Sequence, residues 1–462
     1  MTLHYRYEAK GIQAWILAAD KLKSLRGGSA LVDGIAGLAK SRAAATGGTF
    51  LYAAAGGGTI EFKDDAQLAA FAEAWPLILS RFAPGLQIVQ AWAPANESEL
   101  LRKRLREARN APLIELPEAG PWTARSGRTG LPAAQKGDGG TLLDAGTAKR
   151  TDAAPANERV GPELVLANPD YRGDPTWTFV DDLHHRAWGD GAIAVIHADG
   201  NGIGQEVIKR AKADDLRKFA EALDGATKRA ACAAVRWLVE ARTKPGATPN
   251  GRDLPARPIV IGGDDFTFIV EAKHGLGFLE RWLEAFEDES RQIPGSEGLT
   301  ACGGLAIVRR GFPFATAHEI AETLCRRAKT ELRKQSLKAS ALAFERVTTS
   351  HEDELARSDV YGVGKRGKTP SLAALRDLGG HAQKLPKGKL RQWIALPDSR
   401  PDAHELWDRT AQVATTPING QEPDRETKAA WLAFVEGLPP AGPDRRQRVA
   451  DVLTLQHLSE AP

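Results

Sequence analysis

Residues 257–272 read RPIVIGGDDFTFIVEA. Two β-rich apolar runs flank Gly262-Gly263-Asp264-Asp265, the pattern of a tight hairpin with its turn on those four residues. Residues 191–204, GAIAVIHADGNGIG, form a continuous apolar strand that stops at Asp199 and a run of glycines. Helical periodicity follows from about Gln205 to Arg242. After the hairpin come the helix GFLERWLEAFEDESRQI (277–293), the strand LTACGGLAIV (299–308), the helix TAHEIAETLCRRAKTELRK (316–334) and the strand SALAFERV (340–347). The order β-α-β-β-α-β is ferredoxin-like, and it lays the hairpin beside the strand that ends at Asp199.

The amino-terminal third repeats this order. A strand (Leu3 to Ala9) leads to a helix bearing Ile12, Ile16, Ala19 and Leu22, then a Gly27-Gly28-Ser29 turn and a second helix from Ala30 to Arg42. The strands TFLYAA and TIEF flank Gly56-Gly57-Gly58, and a helix around Phe71 and the strand LQIVQAW complete the unit. Two such units imply a duplication. The expected fold is α+β, with a first ferredoxin-like unit over 1–116, an irregular insert over 117–175, a second ferredoxin-like unit over 176–348 and a helical domain over 349–462. In the last of these, Trp393, Trp407 and Trp431 are the expected core anchors.

At 462 residues, with 42% hydrophobic and 26% charged residues, the chain is sized for two or three globular domains. Lys plus Arg is 62 against 59 acids, so overall charge demands no polyanionic partner. Three scattered cysteines without a C-x-x-C pair argue against a disulfide framework and for a reducing cytoplasm. No apolar run approaches membrane-spanning length, so no membrane association is expected.

Asp199, Asp264 and Asp265 are thereby brought to one sheet edge. Hard divalent cations such as Mg²⁺ or Mn²⁺ take oxygen ligands from one or two carboxylates plus phosphates and water. Two such ions can serve an in-line phosphoryl displacement. The expected metal set is Asp199, Gly200, Asp264 and Asp265, the three acids being the catalytic residues. Gly200, Asn201 and Gly202, Gly262 and Gly263 supply backbone that a triphosphate can approach, and Lys329 can reach the β- and γ-phosphates from the later helix.

With ADGNGIG (198–204), IGGDDFTFIV (261–270), the block LTACGGLAIVRRGFPFATAHEIAETLCRRAK (299–329) and the opening GIQAWILAADKLKSLRGGSALVDGIA (11–36), the chain resembles the large polymerase-like subunit of type III CRISPR effector complexes. The likeness covers residues 1–345. It implies two palms and synthesis of cyclic oligoadenylates from ATP. Asp264 and Asp265 then match the family's GGDD acids, and Asp199 its first-strand acid. A nucleotide-binding first palm is implied too, using Gly28 and Ser29, as are CRISPR effector subunits and guide or target RNA as partners. A homodimer is the further possibility for a chain of this size.

Where the first palm's hairpin reads Gly56-Gly57-Gly58-Thr59 no acid is present, so that palm is expected to be non-catalytic. No His-Asp dipeptide occurs, so the family's metal-dependent nuclease domain is expected to be missing. Without cysteines between the palms, structural zinc is not expected. Two other readings share the palm: a GGDEF-type diguanylate cyclase, which has Glu-Phe where this chain has Asp-Asp-Phe-Thr, and a non-catalytic scaffold of an RNA-guided complex.

Overall fold

The computed structural model describes residues 2–18, 21–54, 56–111, 120–154, 177–180, 182–189, 191–210, 213–243, 253–347, 359–364, 370–385, 388, 390–391, 425–439 and 443–459. In the first palm, β1 (Leu3–Lys10), α1 (Ile12–Leu17), α2 (Leu22–Ala45), β2 (Thr49–Ala54), β3 (Gly57–Phe62), α3 (Asp65–Phe82) and β4 (Gln87–Pro94) follow in order. The sheet order is β2-β3-β1-β4, which is the ferredoxin-like arrangement. Tyr5 and Tyr7 alternate onto the face covered by α2 and α3, where they meet Phe71 and Trp75. A further helix, α4 (Ser98–Asn110), packs Leu101 and Leu105 on Val89, Ala91 and Ala93 of β4.

Gly27, Gly28 and Ser29 do not form a turn. They lie inside the 24-residue helix α2, and their reason is packing. Residues 120–154, expected to be irregular, hold β5 (Ala133–Lys136), β6 (Leu142–Asp144) and α5 (Ala145–Asp152), which packs on α2. A Cβ at Gly27 would stand 1.6 Å from the Arg150 carbonyl oxygen, and one at Gly28 would stand 3.1 Å from Arg150 Cδ. Arg150 in turn lies over the Trp15 ring and donates to the Trp15 carbonyl. The remainder of the expected insert, 117–119 and 155–175, lies outside the described residues.

In the second palm, β7 (Thr178–Phe179) pairs with β9 (Asp253–Leu254) at the periphery. The main elements are β8 (Ile193–Gly200), α6 (Ile203–Lys209), α7 (Ala213–Thr243), β10 (Ala256–Gly262), β11 (Asp265–Glu271), α8 (Ala272–Ser290), β12 (Ala301–Val308), α9 (Phe314–Lys334), β13 (Ser340–Arg346) and β14 (Tyr361–Val363). Sheet order β10-β11-β8-β12-β13-β14 contains the same four-strand palm, extended by β13, which runs parallel to β12 after the α9 crossover. The sheet runs past the expected boundary at 348, because β14 pairs with β13.

The two faces of this sheet have different neighbours. Ala194, Ile196, Ala198, Phe266 and Phe268 meet α7 and α8 in a core that also takes in the carboxy-terminal helices α10 (Leu372–Ala382), α11 (Arg425–Glu436) and α12 (Pro443–Ser459). Ile193, Val195, Ile269 and Ala306 face the other way, into one continuous core with α9 and the first palm. Trp431 is buried as expected. Trp393 and Trp407 lie outside the described residues.

Candidate active site

Asp199 is the penultimate residue of β8, and alternation puts it on the α9 face with His197. Phe266 pairs with Ala198, so Asp265, at the start of β11, comes alongside Asp199. Gly262 pairs with Asp265, leaving Gly263 and Asp264 as a two-residue turn. Only Gly263 of the two has a positive φ, at 61°, which is the type II′ pattern favoured in hairpins. At the facing end of β8, a Cβ on Gly200 would come within 2.8 Å of Ile203 and 3.0 Å of the Asp264 Cβ. Glycine at 200 is what lets the acidic turn close on the strand.

Burial raises the Asp264 carboxyl to about 7, with the Asp199 charge adding to the rise. Asp265 goes up to about 6 for the same two reasons, opposed by Lys329 and by the Gln13 side chain, which reaches it from α1 of the first palm. Asp264 and Asp265 are thus disfavoured as anions unless a cation joins them. The cation nearest to hand is Lys329, whose Nζ is 2.5 Å from Asp199 Oδ2 and 2.8 Å from the Gly200 carbonyl. Among the described residues, no group of three or more His, Cys, Asp or Glu side chains is arranged to hold an ion unaided.

The structure therefore brings Asp199, Gly200, Gly262, Gly263, Asp264, Asp265 and Lys329 together. Asn201 stands beside them, but its side chain is spent on the protein: Nδ2 donates to Thr300 Oγ1 at 3.0 Å and to the Ala339 carbonyl at 3.3 Å. It ties the end of β8 to the starts of β12 and β13. Gly202, with φ 73°, is the exposed N-cap of α6. Gly28 is buried against Arg150 and Ile16, a use other than backbone exposure to a nucleotide. Ser29, the next residue of α2, is half-buried.

In the first palm Ala54 pairs with Gly57, so Gly56 and Gly57 are the positions that answer to Asp264 and Asp265. The sequence alignment of Gly56–Thr59 with the acidic turn was two residues out of register, and the absence of acid holds in the true one. Gly56 and Gly58 make room for Ile12 and the Tyr7 ring.

Gln13 escaped sequence reasoning, as did a buried group beneath the acids: His197 Nδ1 is 3.3 Å from Thr267 Oγ1, which is 3.5 Å from His318 Nε2. His197 and Thr267 each sit two residues along a strand from an acid, and alternation alone could have placed them on its face. His318 comes from α9 and left no local signal. Burial holds both imidazoles below the usual histidine range.

Residues 192–338 match the family described as Cas10/Cmr2, second palm domain. No curated protein matches the chain in sequence. Similar solved structures include a Csm1-Csm4 cassette in complex with cA4, at 14% identity and TM-score 0.55, covering 98% of this chain and 70% of that one. The apo Csm1-Csm4 cassette is alike at 15% identity and TM-score 0.54, with the same coverage. Csm1 in T. onnurineus matches at 14% identity and TM-score 0.51, over 98% of this chain and 69% of that one. The fold is that of a two-palm α+β protein. Its second palm matches the description Cas10/Cmr2, second palm domain, and the whole chain shares the fold of the Csm1 structures.

Proposed function

We propose that the chain is a metal-dependent nucleotidyltransferase that converts ATP to cyclic oligoadenylates in CRISPR-type defence. The observation that carries this reading is the convergence of Asp199, Asp264 and Asp265 at one sheet edge, two of them pushed up towards neutrality by burial and mutual charge. A fold shared with proteins solved in complex with cA4, cA3 and AMPPNP supports it.

Oxygen donors alone suit Mg²⁺ or Mn²⁺. One or two carboxylates per ion is the usual protein share when phosphates and water complete the shell, so three acids could serve two ions that share them. Asp199, the Gly200 carbonyl, Asp264 and Asp265 would hold them. When bound, such ions polarise the reacting phosphate and stabilise charge on the attacking and leaving oxygens. The chain's own part is placement. Gly263 leaves its Cβ side open, so a triphosphate can lie along the turn. Lys329, which pairs with Asp199 in the metal-free site, would offer its ammonium to the β- and γ-phosphates once that carboxylate had another counter-charge. A hydroxyl of a second nucleotide then attacks the α-phosphorus as pyrophosphate leaves. The first palm would present that acceptor nucleotide, with Ser29 of α2 as its proposed contact. Other CRISPR effector subunits and guide or target RNA are the proposed partners, and a homodimer the alternative assembly. None of the described helices is long and apolar enough to cross a membrane; the proposed site of action is the cytoplasm.

The test is incubation of the protein with each NTP and Mg²⁺ or Mn²⁺, with products resolved by mass spectrometry. Oligoadenylates from ATP, lost in the Asp264→Ala/Asp265→Ala variant, are expected. Full activity in that variant sinks the mechanism. Product from GTP alone moves the assignment to a diguanylate cyclase, and nucleotide binding without turnover under any activator moves it to a scaffold.

A further inference from the structure

Helix α7 grips the acidic turn by its backbone. The Gly263 N–H donates to Asp224 Oδ1 at 3.2 Å, and the Gly263 carbonyl accepts from Thr227 Oγ1 at 2.5 Å. Thr227 is fully buried, and Asp224 is held from behind by Lys228 at 2.9 Å. The two peptide planes on either side of Gly263 are thus both pinned, and by residues one helical turn apart.

We infer that Thr227, with Asp224, is a positioning residue that selects one turn type and so fixes where the Asp264 carboxylate points. This inference rests on the metal-site reading. A type II′ turn has positive φ at its first central residue only, whereas type I′ has it at both. The two differ by a flip of the peptide between the central residues, here the Gly263–Asp264 peptide. Aspartate tolerates positive φ better than most side chains, so Asp264 by itself is a weak barrier to the flip. The Thr227 hydroxyl holds the carbonyl that would have to swing. Without that bond the turn samples both forms, and the Asp264 carboxylate leaves the edge shared with Asp199 for part of the time.

The decisive comparison is Thr227→Val, which keeps shape and burial but loses the donor, against Thr227→Ser, which keeps the donor. Two quantities are read: Mn²⁺ affinity by calorimetry, and amide hydrogen exchange of the peptide spanning residues 260–268 without metal. A net hydrogen bond is worth about fivefold to tenfold in an equilibrium. Thr227→Val should therefore weaken Mn²⁺ binding by about that factor and speed exchange at the turn, while Thr227→Ser stays near the parent. A merely structural loss would spread faster exchange through α7 and would not be rescued by serine. Parent-like Mn²⁺ affinity and exchange in Thr227→Val overturn the inference. If the parent itself binds no Mn²⁺, the metal-site reading fails, and exchange at the turn still decides for or against the grip.

Discussion

Lys329 does two things in turn, and they have opposite signs. Its ammonium compensates Asp199 in the metal-free protein, so it competes with an incoming cation, yet the proposed chemistry needs it on the phosphates. Lys329→Met should therefore bind Mn²⁺ more tightly than the parent in the absence of nucleotide, and make less product. Tighter metal binding with undiminished turnover would leave Lys329 a mere counter-charge. The acids themselves make a matching prediction about stability. Asp264 and Asp265 titrate near 7 and 6 when folded, against about 3.9 for an unfolded aspartate. Between those values the folded state binds more protons than the unfolded one, so these residues lower stability as pH rises through about 4 to 7. Without metal, Asp264→Ala/Asp265→Ala should melt higher than the parent at pH 8, and this difference should shrink towards pH 5. A difference that grows on acidification would reverse the assigned sign.

Helix α2 shows how a glycine's meaning depends on what lies across from it. Ala in place of Gly inside a helix ordinarily gains about 0.5–1 kcal/mol. Gly37 has nothing within 4 Å of its missing Cβ, and Gly37→Ala should follow that rule. Gly27 meets the backbone of α5 at 1.6 Å. Gly27→Ala should lose about 1–3 kcal/mol by forcing the helices apart, seen as a lower melting temperature and faster proteolysis within residues 120–154. A neutral Gly27→Ala would mean that α5 is not seated where it stands. This contact also marks the limit of what sequence patterns disclose. The order of strands and helices in both palms was legible because each has its own periodicity, and the acidic edge was legible because Asp199, Asp264 and Asp265 sit at strand ends. The unbroken course of α2 was not, since Gly27-Gly28-Ser29 has local turn chemistry that only packing by α5, more than a hundred residues later, overrides. Asp224, Thr227, Gln13 and His318 were hidden for the same reason: each reaches the site from an element distant in sequence.

Across the whole molecule, the palms are asymmetric in chemistry but joined in structure. Only the second turn carries acid; the contribution proposed for the first palm is an acceptor site, and Ser29→Trp is the proposed way to block it. Titration with a non-hydrolysable ATP analogue should show two sites in the parent and one in the variant, with turnover reduced. Two sites and normal turnover in Ser29→Trp would place the acceptor elsewhere, in a second copy of the chain. Correct placement of two nucleotides can supply several kcal/mol of a barrier, and Gln13, reaching Asp265 from α1, shows that the first palm already touches the second palm's acids.

The core that runs from Tyr5 and Trp75 through Val195 and Ile269 to α9 also sets a schedule for the ribosome. The first palm is complete in sequence at Pro94, whereas α9 begins only at Phe314. At typical elongation speeds of about 5–20 residues per second, the nascent first palm waits roughly 10–45 s with an apolar flank open to solvent. That interval is when a chaperone has something to hold, and when a truncated transcript would yield a sticky rather than a benign fragment.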